Sequence, residues 1–88
     1  MQYVYVLKSE RDANLYVGYS SDLSKRLELH NAGRVLSTKH RRPLRLVYYE
    51  ACINQQDALH REKYLKTAYG KRYIKSRLKE YFGVQDDE

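Results

Sequence analysis

The sequence contains no tryptophan, one phenylalanine, one cysteine, one proline and four glycines. Because Cys52 has no partner cysteine, no internal disulfide can form, and a cysteine-based zinc site is disfavoured. A lone cysteine fits a reducing cytoplasm. No stretch approaches the roughly 20 apolar residues that a membrane-spanning helix requires. The chain enters Tyr3-Val4-Tyr5-Val6-Leu7 without a basic leader or a small-residue cleavage site, which predicts no signal peptide. Glycine-rich phosphate loops, CxxC pairs, Ser/His/Asp groupings, repeats and low-complexity tracts are all missing. The separations of His30, His40, Cys52 and His60 match no compact metal-ligand spacing.

Positive charge and tyrosine dominate what remains. Seventeen Lys and Arg face eleven Asp and Glu, for a net charge of +6 over 88 residues, and three of the acids close the chain as Asp86, Asp87 and Glu88. This length has room for one domain. A domain this basic draws polyanions by long-range steering, although a basic protein without any nucleic-acid partner would have the same composition. Ten tyrosines can fill a core, stack on bases or offer hydroxyls to phosphates, and composition does not separate these roles.

Local patterns give the order of elements. Residues 3–7 read as a strand covered on both faces, Lys8–Asn14 as a turn, and Leu15–Tyr19 as the second strand of an antiparallel hairpin. Ser20-Ser21-Asp22 opens a helix that carries Leu23 and Leu27 on its apolar stripe and stops at Gly33. Residues 34–43 form a basic loop closed by Pro43, and Leu44–Ala51 is a third strand. Asn54 caps a helix over about Gln55–Ala68, Gly70 punctuates, and a last helix runs over about Lys71–Phe82 with Ile74, Leu78 and Tyr81 on its inner face. The expectation is an α+β domain over residues 1–83, a three-stranded antiparallel sheet flanked by about three helices in the order ββαβαα, with residues 84–88 as an acidic flexible tail.

Certain residues in this pattern can carry chemistry. Arg26 and His30 are neighbours on one helix face beside the Leu23/Leu27 stripe. A guanidinium there can stabilise a phosphoryl transition state, and an imidazole can move a proton. The alternative is a solvated arginine beside a histidine at the core boundary. Glu62 has Ala58, Leu59 and Leu65 as helix neighbours, so a carboxylate lies beside the core. It needs a partner there, and either Mg²⁺ or an ion pair, for example with Lys66 one turn on, would serve. Tyr3, Tyr5 and Tyr16 on the hairpin are good strand formers. As a base near neutral pH a phenol needs help, because its reference pKa is about 10.

Read in order, Tyr3-Val4-Tyr5, Tyr16-Val17-Gly18, Arg26 with His30, and Arg61-Glu62-Lys63 resemble the GIY-YIG nuclease superfamily, and in particular its short stand-alone bacterial members. The blocks STKHRRPLRLVYYEA and ALHREKYLK extend the resemblance over nearly the whole chain. It implies that Tyr5 and Tyr16 are the signature tyrosines, that Arg26 contacts the scissile phosphate, and that His30 stands where members carry His or Tyr. It also implies that Glu62 holds one divalent ion, Mg²⁺ or Mn²⁺, and that His40 corresponds to a second active-site His. Tyr19 replaces a lysine found in some members and Ser76 an asparagine, which leaves the base open between Tyr5 and Tyr16. The implied activity is metal-dependent endonucleolytic hydrolysis of DNA, structure-selective and serving repair or processing. The alternative is a nucleic-acid-binding module on the same fold. Tyr5, Tyr16, Arg26 and Glu62 are expected to converge on one concave surface, with Lys39, His40, Arg41, Arg42, Lys71, Arg72 and Lys75 as phosphate contacts.

Overall fold

The computed structural model describes residues 1–86. Strands β1 (Gln2–Ser9), β2 (Leu15–Ser20) and β3 (Leu44–Cys52) form one antiparallel sheet in the order β2-β1-β3. Helix α1 (Leu23–Asn31) follows the hairpin, and a 3₁₀ turn over Lys39–Arg41 precedes β3. Helices α2 (Gln55–Leu65), α3 (Ala68–Arg77) and α4 (Lys79–Asp86) complete the chain.

As the central strand, β1 must be apolar on both faces, and Val4, Tyr5, Val6 and Leu7 are all buried. Strand alternation divides them into two layers. Val4 and Val6 join Val17, Ala58, Leu65 and Ile74 in one core, against which Tyr73, Leu78 and Phe82 also pack. Tyr5 and Leu7 join Leu44 in a second core, packed by Tyr16, Leu23, Leu27 and Leu46. Thus α1 covers the Tyr5 face, while α2 and α3 cover the Val4/Val6 face. Each fully buried aliphatic side chain contributes roughly 1.5–3 kcal/mol relative to leaving it exposed. An irregularity in the β1–β3 pairing between Val6 and Leu7 moves the register so that both Val47 and Tyr48 pack on the Val4/Val6 side.

The helix starts follow from short oxygen-bearing side chains. Asp22 accepts from the Lys25 amide, Asn54 from the Gln56 and Asp57 amides, and Thr67 from the Gly70 amide. The first helix ends as the glycine signal implied, with Gly33 at φ +78°. The C-terminal region departs from the sequence expectation at four places. Helix α2 stops at Leu65, because Thr67 caps a new helix that begins at Ala68. Gly70 lies inside α3, where it is needed for closeness rather than for a turn: a Cβ there would overlap the Tyr64 carbonyl oxygen and the Leu65 Cα. The single last helix expected to Phe82 is two helices, broken at Leu78, whose backbone leaves the helical region at φ −109°, ψ 31°. Helix α4 continues to Asp86, where a tail from residue 84 was expected, and Asp87 and Glu88 lie outside the described residues. Among the described residues, no helix is long and apolar enough to cross a membrane.

Candidate active site

Four of the side chains singled out in the sequence meet on the α1 face of the sheet. Tyr5 is fully buried, and its ring crosses β2 directly over Gly18, its cross-strand partner. A Cβ on Gly18 would fall within 2.5 Å of Tyr5 Cζ, so only glycine leaves room for the phenol to pass. Beyond it, Tyr5 Oη lies 2.7 Å from His30 Nε2 and accepts a hydrogen bond from Arg26 Nε at 3.4 Å. The spacing of Arg26 and His30, one helical turn apart, turns both toward the same hydroxyl. The Tyr16 ring packs edge-on to His30 at 5.3 Å between centroids and lies 6.5 Å from that of Tyr5. Of the two tyrosines, Tyr16 is half-buried and Tyr5 is enclosed.

Burial shapes the electrostatics of this cluster. It raises the Tyr5 phenol above its ordinary value, with the hydrogen bond from Arg26 pulling the other way and the negative charge of Glu62 adding to the rise. Tyr5 is therefore a protonated phenol at neutral pH. His30 is completely enclosed, and burial together with the Arg26 charge pushes its pKa down to about 4. It is a neutral imidazole across the physiological range. Its second nitrogen, Nδ1, is 2.8 Å from the hydroxyl of Thr38, which is also fully buried. No sequence argument singled out Thr38. The only signal was its membership of the block STKHRRPLRLVYYEA, because a contact from an irregular loop leaves no periodicity.

A prediction follows from the His30 shift. The folded pKa lies below the unfolded value of 6.5, so the unfolded chain binds the extra proton between those limits. Stability from this group is fully present above about pH 6.5 and is lost as pH falls toward 4, on the order of 3 kcal/mol in all. Urea unfolding between pH 7 and 4.5 should show this slope in the wild type and a shallower one in His30→Gln. Equal slopes would place the acid sensitivity elsewhere.

Glu62 sits in the other layer. Its helix, α2, packs on the Val4/Val6 face through Ala58 and Leu65, while Tyr5 and Tyr16 belong to the other core. The link between the layers is electrostatic, through the influence of Glu62 on Tyr5. Glu62 Oε2 pairs with Lys66 Nζ at 3.2 Å, the ion pair weighed in the sequence. Among the described residues, no group of three His, Cys, Asp or Glu side chains could cage a metal. Glu62, a partly exposed carboxylate, suits an ion that takes most of its shell from water and phosphate oxygens.

The basic residues fall into two groups. Arg41 pairs with Asp12 at 3.2 Å, and Arg42 donates to the backbone oxygens of Lys39 and Asn31, so both tie down the loop. His40 is exposed, with its carbonyl accepting from Arg11, and it is Thr38 rather than His40 that reaches His30. Lys39 is half-buried. On α3, Lys71, Arg72 and Lys75 are exposed, Arg72 lying over the Tyr69 ring. Lys71 and Lys75 border a hollow of about 500 Å³ with Ala13, Asn14 and Leu15. Lys71 also lines a cleft of about 220 Å³ with Tyr16 and Lys66. Tyr19 donates to Gln2 and accepts from Gln55, and so fastens the hairpin to α2. A second charged network, in which Arg61 holds both oxygens of Glu50 at 2.8 Å and Tyr48 donates to the same carboxylate, joins β3 to α2.

The model of the GIY-YIG catalytic domain matches residues 1–77. A UPF0213 protein of Clostridium perfringens is 43% identical over 67 residues, covering 75% of this chain and 71% of that protein. Another, from Staphylococcus saprophyticus, is 44% identical over 66 residues, covering 74% and 79%. The solution NMR structure of a UPF0213 protein from Bacillus halodurans has the same fold, with a TM-score of 0.55 at 31% identity over 86% of this chain and 84% of that one.

Proposed function

Since the chain belongs to the GIY-YIG family, we propose that it is a divalent-metal-dependent endonuclease that hydrolyses phosphodiester bonds in DNA. The observation that carries this reading is the meeting of Tyr5, Tyr16, Arg26 and His30 around one phenolic oxygen that also feels the Glu62 charge. Glu62 would hold Mg²⁺ or Mn²⁺. When bound, such an ion polarises the phosphate and stabilises the leaving oxygen. Arg26 neutralises charge that develops on the phosphoryl group, its Nε being fixed by Tyr5. Tyr16, the more accessible tyrosine, orients the attacking water. His30 and Tyr5 hold this arrangement in place. Selectivity for flaps, branches or single strands, a role in repair or processing, and action in the cytoplasm belong to the same proposal.

The test is incubation with labelled duplex, flap, branched and single-stranded DNA in Mg²⁺, Mn²⁺ or EDTA. Cutting should require metal and vanish in Arg26→Ala. A second reading, a nucleic-acid-binding module that does not cut, is favoured by one observation: the Glu62 carboxylate is already paired with Lys66. Binding without cleavage of any substrate in either metal would select it.

Binding itself should be strongly salt-dependent, with log affinity falling by roughly 0.9 per phosphate neutralised for each unit of log salt. Because Lys71 and Lys75 are exposed and flank a hollow, replacing both by Ala should weaken binding to all sequences alike and flatten the slope by about 2. The Arg41→Ala/Arg42→Ala pair should flatten it less, since both side chains serve the loop. A salt titration by filter binding that shows the reverse order would move the DNA path to the loop.

A further inference from the structure

Tyr16 packs in the Tyr5 core and α2 in the other, yet the two layers meet at one opening. The strand order makes β2 an edge of the sheet. Along that edge lies the cleft of about 220 Å³ between β2, the end of α2 and α3. Val17, Leu65 and Ile74, all buried, form its floor. Tyr16, Lys66 and Lys71 stand at its rim. Tyr16 packs on His30, and Lys66 holds Glu62. The cleft therefore adjoins both halves of the proposed active centre.

Its size and lining select an occupant. Pockets that enclose a whole small ligand run to roughly 300–1,000 Å³, so this smaller cleft suits a single ring rather than a cofactor. The floor offers no hydrogen-bonding side chain, so it takes a ring by its faces and not by its edges. Positive charge waits at the rim, where Lys71 is exposed and makes no ion pair among the described residues. A ring joined to phosphates answers both features. An aromatic side chain of a protein would fill the floor but leave the lysine charge unanswered. A base in duplex DNA is stacked inside the helix, and it reaches a cleft in a protein only by leaving the stack.

We infer that this cleft is a nucleobase subsite: it takes one unpaired base beside the scissile phosphate, held on the apolar floor next to the Tyr16 ring, while Lys71 meets the adjoining phosphate. The substrate class is then DNA with an unpaired nucleotide at the cut, whichever of the bases that nucleotide carries. The position of the cut rests on the nuclease reading, whereas capture of the base needs no cleavage.

The test uses the full chain in EDTA and a hairpin duplex with one extrahelical nucleotide, carrying each base in turn or made abasic. Removing the base should weaken binding about tenfold, the scale of one stacked base, and the different bases should bind alike. Methyl NMR signals of Val17, Leu65 and Ile74 should shift with the base-bearing hairpin and stay still with the abasic one. Equal affinity for both hairpins, or methyl signals that ignore the base, overturns the inference and leaves the cleft to a protein side chain. Discrimination among bases by more than about tenfold also overturns it, since the floor could not supply that. Leu15→Trp, which places a ring in the cleft, should erase the abasic penalty. A penalty that persists in the folded variant counts against the site, and if the variant does not fold, the wild-type comparison decides. A wild type that captures the base but cuts no DNA in Mg²⁺ or Mn²⁺ defeats the nuclease reading and leaves the subsite standing. Cleavage that is indifferent to the base does the reverse.

Discussion

Glu62→Gln is expected to slow DNA cleavage by at least about two orders of magnitude, a loss of roughly 3 kcal/mol in transition-state stabilisation. Glutamine keeps the shape of the side chain but not the charge that a hard divalent cation requires. Among the described residues no group of three metal-ligating side chains stands ready to take its place. Stability should change little. The ion pair with Lys66 spans one turn of α2 with the lysine 55% exposed, and such pairs contribute about 0.5 kcal/mol or less. DNA affinity in EDTA should hold or rise slightly, because a negative charge near the phosphates has gone. If Glu62 were only the partner of Lys66, the variant would be almost as stable and would cut normally. Single-turnover cleavage separates the two, thermal melting of the same purified preparation shows that the variant is folded, and full activity would refute the metal-binding role.

Gly18→Ala should be nearly as damaging, although it adds only a methyl group and removes no functional atom. The new carbon would fall within 2.5 Å of Tyr5 Cζ. The ring cannot simply yield, because it is enclosed and its hydroxyl is held by His30 and Arg26. The phenol must therefore move, and its hydrogen bonds lengthen or break. Cleavage should fall about 100-fold, close to 2.7 kcal/mol. Overpacking of this kind also costs about 1–3 kcal/mol of stability, and each kcal/mol lowers Tm by roughly 4–8 °C in a domain of this size. Lys71 and Lys75 are untouched, so DNA affinity should survive. Activity within about twofold of wild type would mean that the position of Tyr5 Oη is immaterial to the reaction.

Gly18 also illustrates how far the sequence could be read. It belonged to a recognisable triplet, but nothing in the sequence told that it makes room for Tyr5; that emerges only when the strands are paired. The parts that were legible rest on short-range rules. Asp22 and Asn54 cap helices as their side-chain chemistry dictates, Gly33 ends α1, and the spacing of Arg26 and His30 puts them on one face. What escaped depends on contacts between distant segments. Gly70 reads as a helix stop, but its role is set by the backbone of Tyr64 and Leu65 packed against it. Arg41 reads as a free cation, but Asp12, far along the chain, holds it. The position of Glu62 beside apolar neighbours was correct for its helix, while the layer to which that helix belongs could not be read from α2 alone.

The order β2-β1-β3 also has a kinetic consequence. The strand at the middle of the sheet is the first in the chain. Its partner β2 follows through a tight turn, so that hairpin closes a small loop and can form early. The pairing of Val6 with Tyr48 closes a far longer one, and it must wait until α1 and the basic loop have been accommodated. Non-local pairing of this kind raises contact order and slows folding. Until β3 arrives, the hairpin exposes one unpaired edge of β1, made of some of the most apolar residues in the molecule. Folding of this domain is thus gated by the arrival of one strand, and the interval before it is when the chain is most open to aggregation.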